Sequence, residues 1–245
     1  NGVLGYLESD PIPRDFRKEN IAIAANGSTY DKSKQGILPQ IIIDYYAERS
    51  EVKKQMLSKE REYQKEKTFH LEKEINQLEN QQMAIKILLN SLYGALGNKH
   101  FRYFDMRMAE GITLSGQLSI MWAEKAMNKE MNRILKTENR DYVIAMDTDS
   151  LYINMGPLVK QLNPKDPVVA LDKICSDHFE KVLEKSYAEL FDKQQAYVNR
   201  MVMAREVIAN RGIWTAKKRY ILNVHNSEGV QYAEPKLKIM GIEAI

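Results

Sequence analysis

The 245-residue sequence contains one cysteine, Cys175. No internal disulfide can form, and this usage fits a reducing compartment. No apolar run approaches the roughly 18–20 residues of a membrane span, and no secretory signal opens the chain, so no membrane partner is expected. Glycine and proline are missing from Gln40 to Tyr93, and the residues there are mostly good helix formers. Unbroken, that rod would span roughly 80 Å at ~1.5 Å per residue, too long for a compact domain. It is expected to fold back near Lys67–His70 as an antiparallel helical hairpin. A coiled-coil dimer competes, but the stretch lacks a sustained apolar heptad. Charge of one sign is also scarce, with 36 Lys and Arg against 33 Asp and Glu. The small excess is uneven: from Arg200 to Ile245 there are eight basic and four acidic residues, which favours a polyanionic partner for that tail. The chain opens on Asn1 rather than Met and stops within an apolar segment at Ile245, and it reads as a piece of a longer protein.

What the chain does have is a pair of carboxylates in an apolar setting, "DYVIAMDTDSLYIN" at 141–154. On a continuous strand, side chains alternate, so Asp147 and Asp149 would share one face and Thr148 the other. Two like charges that close are unfavourable unless a cation offsets them. The stretch requires a metal, or a tight turn that leaves both groups in water. A calcium loop starting at Asp147 fails in detail, because its sixth and twelfth positions are Tyr152 and Leu158, where Gly and Glu are needed.

Around this pair the pattern is α+β. Residues 1–36 read as irregular, with turns at Pro11, Pro13, "ANGST" and Gly36. Helices are expected at about 110–136, with Leu114, Leu118, Met121 and Trp122 and then Met127 and Met131 in register, and at about 168–195. Strands are expected at 200–209 and 218–225, with "NSEG" at 226–229 closing the latter into a hairpin with 230–234.

A further segment, "AIKILLNSLYGALGN" at 84–98, carries two faces. Lys86, Asn90, Tyr93, Gly94 and Gly97 line up on one side; Ile85, Leu88, Leu89, Leu92 and Leu96 form a side that must pack. Each helical glycine costs about 1 kcal/mol, which makes sense where something bulky approaches the backbone. A cation, an amide and an aromatic beside bare backbone suit a nucleotide. An ordinary amphipathic helix capped by glycine is the plainer reading. Arg49 and Lys53, one helical turn apart, would add two cations if their helix folds back on this one.

Four motifs in order resemble the family B DNA polymerases, particularly the replicative enzymes of T-even-like bacteriophages: "KILLNSLYG", "DTDS" at 147–150, "KKRY" at 217–220 and "YAEPKLKIMGIE" at 232–243. A reverse-transcriptase-like palm would carry adjacent aspartates and no "NSLYG" helix. The resemblance implies a palm with a small antiparallel sheet flanked by helices, plus a two-helix fingers hairpin. Its boundaries are a palm-side segment at 1–39, fingers at 40–97, palm at 98–232 and the start of the thumb at 233–245.

It implies template-directed transfer of a nucleotide from dNTP to a primer 3′-hydroxyl with two Mg²⁺ ions, replaceable by Mn²⁺. Asp149 would be the direct metal ligand and Asp147 its neighbour, with Glu206 at a further acidic position. Arg49, Lys53 and Lys86 would clamp the triphosphate; Asn90, Tyr93 and Gly94 would border the nascent base pair. Lys217, Lys218, Arg219 and Tyr220, with Lys236 and Lys238, would hold DNA. Primer–template DNA, dNTP, the remainder of the polymerase or a complementary subunit, and a sliding clamp reached through missing regions are the implied partners. The infected host cytoplasm is the implied location. Two departures stand out: Ala145-Met146 replaces the usual Tyr-Gly, and the "SLYPS"-type segment with the other essential aspartate is absent, as are the exonuclease and most of the thumb. The chain alone is therefore expected to be inactive. The alternative is a non-catalytic DNA-binding fragment, or one subunit of a split polymerase.

Overall fold

The structure, a computed structural model, describes residues 19–242 together with Gly5. The turns expected at Pro11 and Pro13 lie outside the described residues. The chain divides into two compact units, residues 28–112 and residues 1–27 with 113–245. No described helix is long and apolar enough to cross a membrane. Helices and small antiparallel sheets make the fold α+β.

Strand β1 (Ile21–Ile23) belongs to the larger unit, and β2 (Thr29–Asp31) to the unit of residues 28–112. The latter unit is dominated by α1 (Ile37–Lys65) and α2 (Phe69–Leu96), which form an antiparallel hairpin. Pro39 is tolerated because it sits in the first turn of α1, where backbone N–H groups lack helical acceptors anyway. The reversal occupies Glu66–Thr68, slightly before the expected site, because Thr68 caps α2 by accepting a hydrogen bond from the Leu71 N–H. Val52 and Met56 of α1 and Gln82 and Ile85 of α2 are buried, and Lys59 pairs with Glu74 across the hairpin at 3.4 Å.

The larger unit is built on α3 (Met106–Leu135), whose residues from Thr113 belong to it. Leu118, Met127 and Met131 are buried, with Leu114, Met121 and Trp122 packed beside them. Strands β3 (Val143–Asp147) and β4 (Ser150–Ile153) pair antiparallel. Two asparagines one turn apart on α3 set where β3 begins. Asn128 Oδ1 accepts from the Tyr142 and Val143 N–H groups at 2.8 and 3.2 Å, and Asn132 Nδ2 donates to the Arg140 carbonyl at 2.7 Å.

After α4 (Gly156–Leu162), the helix expected at 168–195 is divided. α5 (Pro167–Ile174) leads through a π-helical turn at Cys175–Phe179 into α6 (Glu180–Gln194). Within that turn Phe179 enters the core, while His178 contacts Glu130 of α3 at 2.5 Å.

A three-stranded sheet closes the unit, with β5 (Val207–Ala216), β6 (Arg219–Ser227) and β7 (Val230–Met240) in that order. The strand expected at 200–209 starts later, because Arg205 is tied sideways: its guanidinium bonds Asp172 and Asn226, and its N–H donates to Glu180. β7 runs past the expected end at 234 to Met240, so the domain boundary expected at 232/233 falls within it. Glu228 and Gly229, at φ +47° and +83°, make the two-residue turn into β7.

Glu130 carries a pH dependence. Arg133 hydrogen-bonds its carboxylate; burial opposes this, and His178 adds to it, holding the Glu130 carboxyl down at about 2 from an ordinary 4.5. A depressed carboxyl contributes stability that is present above its unfolded value and disappears as pH falls through the folded one. The thermal midpoint should therefore fall as pH is lowered from about 4.5 towards about 2, and less steeply for Glu130→Gln over the same interval. Thermal unfolding followed by circular dichroism across that range checks it; parallel curves would remove Glu130 as a cause.

Candidate active-site elements

Asp147 ends β3 and pairs with Ser150 at the start of β4, leaving Thr148 and Asp149 as a two-residue loop. The Asp149 N–H donates to the Asp147 carbonyl at 2.6 Å, across Thr148 at φ +53°. Positive φ is rare for a β-branched residue, and strain of this kind persists where the surroundings enforce it. The Thr148 hydroxyl also donates to the Asp147 carboxylate at 3.0 Å. The strict alternation of a continuous strand therefore does not apply. Apolar flanks can pair and pack, while a turn leaves Asp149 exposed and Asp147 half-buried, and avoids burying two anions.

The hairpin is held from the side by aromatic rings. Tyr152 of β4 meets Trp214 of β5 and Tyr220 of β6 edge-on, with centroids 5.2 and 5.5 Å away. Burial first, then the neighbouring Tyr220 hydroxyl and the negative charges of Glu206 and Asp147, hold the Tyr152 hydroxyl proton well above the ordinary tyrosine range. Trp214 lies over Gly212, where an added Cβ would come within 2.7 Å of two indole carbons and 2.8 Å of Leu222. The turn from β5 to β6 is Lys217–Lys218, with Lys218 at φ +63°. Lys217, Lys218 and Arg219 are exposed, whereas Tyr220, expected at the DNA surface, has its ring inside.

Glu206 faces the same groove of about 650 Å³ as Asp149, Tyr152 and Trp214, and it accepts from Lys238 Nζ at 2.6 Å. Burial lowers the Lys238 ammonium, but Glu206 outweighs that and leaves it above the ordinary lysine value. Lys236 lies over the Tyr232 ring at 4.4 Å. The expected DNA cations on β7 thus have partners within the protein. Among the described residues no three of His, Cys, Asp and Glu gather as a ligand cluster. The paired oxygens of Asp147 and Asp149 nevertheless suit Mg²⁺, a hard cation that retains several waters and is commonly held by one or two carboxylates.

In the unit of residues 28–112, Lys86, Asn90, Tyr93 and Gly94 are all exposed on α2. A Cβ on Gly94 would meet nothing within 4 Å, so the bare backbone there is open. Counting ten residues from the Lys59–Glu74 pair down each helix brings Arg49 level with Ala84, two residues from Lys86. Arg49 Nε is buried without a hydrogen-bond partner among the described residues. One expectation changes here: Leu88 is 48% exposed rather than packed. Gly97 stands at the C-terminal cap of α2, in a right-handed conformation at φ −85°. Sequence reasoning did not find Tyr152, Trp214 or Arg205; the Gly-x-Trp spacing at 212–214 is the one local signal it could have used.

Residues 7–244 match the family described as DNA polymerase family B. Among similar curated proteins, the DNA-directed DNA polymerase of Enterobacteria phage T4 is 31% identical, over 95% of this chain and 32% of that protein. The DNA-directed DNA polymerase of Escherichia phage RB69 is 40% identical, over 66% of this chain and 20% of that protein. DNA polymerase 1 of Pyrococcus abyssi (strain GE5 / Orsay) is 26% identical, over 88% of this chain and 23% of that protein. The chain thus matches about a third or less of each relative's length.

The packing of Trp214 over Gly212 makes a test of the aromatic support. Gly212→Ala has to push the indole aside, and overpacking of this kind typically costs about 1–3 kcal/mol. Urea unfolding should show that loss, together with a changed near-ultraviolet signal from Trp214. An unchanged midpoint would mean that the ring is loosely held.

Proposed function

The chain belongs to DNA polymerase family B, and on that footing we propose that it carries nucleotidyl-transfer elements of a template-directed DNA polymerase. The observation that carries this reading is the strained turn at Thr148, which places Asp147 and Asp149 on either side of it at the tip of a supported hairpin. In this reading α1 and α2 are the fingers, the larger unit is palm, and residues from about 233 approach the thumb. By its likeness to the phage relatives, the chain works in the cytoplasm of an infected bacterium.

When bound, two Mg²⁺ ions supply the charge that activates a primer 3′-hydroxyl and steadies the triphosphate. Asp149 would be a direct ligand and Asp147 its neighbour. Lys86, Arg49 and Lys53 bind the triphosphate of dNTP, and Lys86 donates a charge-assisted hydrogen bond that strengthens as negative charge grows on the leaving pyrophosphate. Asn90 and Tyr93 flank the incoming nucleotide and Gly94 leaves it room. Lys217, Lys218 and Arg219 contact primer–template phosphates, which gives position without base preference. Tyr220 supports that turn from within. With two carboxylates in hand, the 245-residue chain alone binds Mg²⁺ weakly and relies on the rest of the polymerase for turnover.

In a primer-extension assay with the complete polymerase, Asp149→Ala should abolish synthesis. Lys86→Ala should lower the incorporation rate at least tenfold, since one charge-assisted phosphate contact contributes about 1.5–3 kcal/mol, while primer–template binding stays near parental. An unchanged rate for Lys86→Ala would place that ammonium in solvent and remove it from the nucleotide site.

The second expectation concerns DNA. Binding measured by fluorescence anisotropy should weaken linearly on a log–log salt plot, equally for two unrelated duplexes. Removing Lys217 and Lys218 should flatten the slope by roughly 0.9 for each phosphate no longer neutralised. A strong preference for one duplex would favour a site-specific DNA-binding protein instead.

A further inference from the structure

We infer that Tyr152 is the positioning residue that couples the carboxylate turn to the cationic turn, so that cation binding at Asp147 and Asp149 and DNA binding at Lys217 and Lys218 depend on one ring. The inference rests on the polymerase reading above and adds to it a residue that touches neither metal nor DNA.

Each turn is a two-residue loop at the end of a hairpin, and a loop of that kind is placed by whatever holds its strands. β3 and β4 form a sheet of only two strands, and such hairpins are marginal by themselves. Tyr152 lies three residues beyond Asp149, on β4. Its ring meets Trp214 and Tyr220 at interplanar angles of 72° and 62°, an edge-to-face geometry with a directional preference. Tyr220 is two residues from Lys218, and Trp214 is three residues from Lys217 on the other strand of that hairpin. One ring therefore touches both strands that carry the cationic turn. Tyr220 and Trp214 are themselves 6.4 Å apart between centroids, so the three rings form one cluster. On the far side Trp214 has little freedom, since Gly212 and Leu222 pack directly against its indole. Trp214 Nε1 is buried without a hydrogen-bond partner among the described residues, so the indole contributes shape rather than polarity. Moving Tyr152 displaces Asp149 along β4 and Asp147 through the paired β3, and loosens Tyr220 and Trp214 on its other side.

A purely structural aromatic would lower stability and nothing more, so the test needs readouts that stability does not move. Mn²⁺ binding by electron paramagnetic resonance reports on the carboxylate turn. The salt slope of primer–template binding by fluorescence anisotropy reports on the cationic turn. Both are measured on the full chain for the parent, Tyr152→Leu, Tyr152→Phe and, as a matched loss of a buried aromatic, Tyr187→Leu in the core of the same unit. Tyr152→Leu should weaken Mn²⁺ binding about tenfold, the lower end of what weakened support around metal ligands costs, and should flatten the salt slope by about 0.9 for each phosphate no longer neutralised. Tyr152→Phe keeps the ring and should restore most of both. Tyr187→Leu should lower the melting temperature without changing either.

Parental Mn²⁺ affinity and salt slope in Tyr152→Leu, or effects no larger than in Tyr187→Leu, would overturn the coupling while leaving the polymerase reading intact. If Tyr152→Leu does not fold, Trp214→Phe reads the same joint from its other side: a joint weakening of both supports it, and parental values for both overturn it. A parent chain that binds neither Mn²⁺ nor DNA would overturn the polymerase reading itself, and the coupling with it.

Discussion

The larger unit has to place two carboxylates, Asp147 and Asp149, with one residue between them in an otherwise apolar stretch. The residues on either side are apolar and pair as strands, yet two carboxylates one residue apart cannot be buried with them. The chain resolves this by turning between them, at the expense of a β-branched residue at φ +53°. That solution leaves a hairpin whose strands are only five and four residues long, and it has to be steadied from outside. Asn128 of α3 fixes one end through the Tyr142 and Val143 N–H groups. Tyr152, which pairs with Ala145 partway along the hairpin, braces β4 against Trp214 and Tyr220. The helix and the sheet hold the turn from two sides.

How much of this the sequence displays depends on how local the cause is. The stripe Leu114, Leu118 and Trp122 follows one helical face, and α3 is legible from it within a few residues. The carboxylate pair is legible because its oddity lies in adjacent residues. The start of β5 is not, because residues 200–206 are held by an arginine side chain whose partners, Asp172 and Asn226, are distant in sequence. The pairing of Tyr152 with Trp214 joins residues 62 apart and leaves no local trace. Leu88 misleads for a different reason, since helical periodicity names a face without saying how much of it a partner covers.

Counting charges misleads in the same way. The tail from Arg200 has twice as many basic as acidic residues, which reads as one broad cationic surface. Pairing narrows it. Lys238 is committed to Glu206, Lys236 to the face of Tyr232, and Arg205 to Asp172. Lys217, Lys218 and Arg219 remain exposed together at one turn. In the proposed reading, a compact cluster on a short loop would hold a phosphate backbone at a point rather than along a line. Such a grip is useful only where the loop's position is fixed.

Two glycines show why function and packing look alike until space is measured. Gly94 and Gly212 each interrupt a regular element, and each carries the same backbone penalty. At Gly212 the missing side chain is filled from inside the protein, by Trp214 and Leu222, and the residue is explained by its own fold. At Gly94 nothing among the described residues, its own helix backbone aside, comes within 4 Å of where a Cβ would be. It stands on the same exposed face as Lys86, Asn90 and Tyr93. A glycine that its own fold does not fill leaves room for something outside it, and the proposed reading fills that room with a nucleotide, whose base and phosphates its polar and cationic neighbours suit.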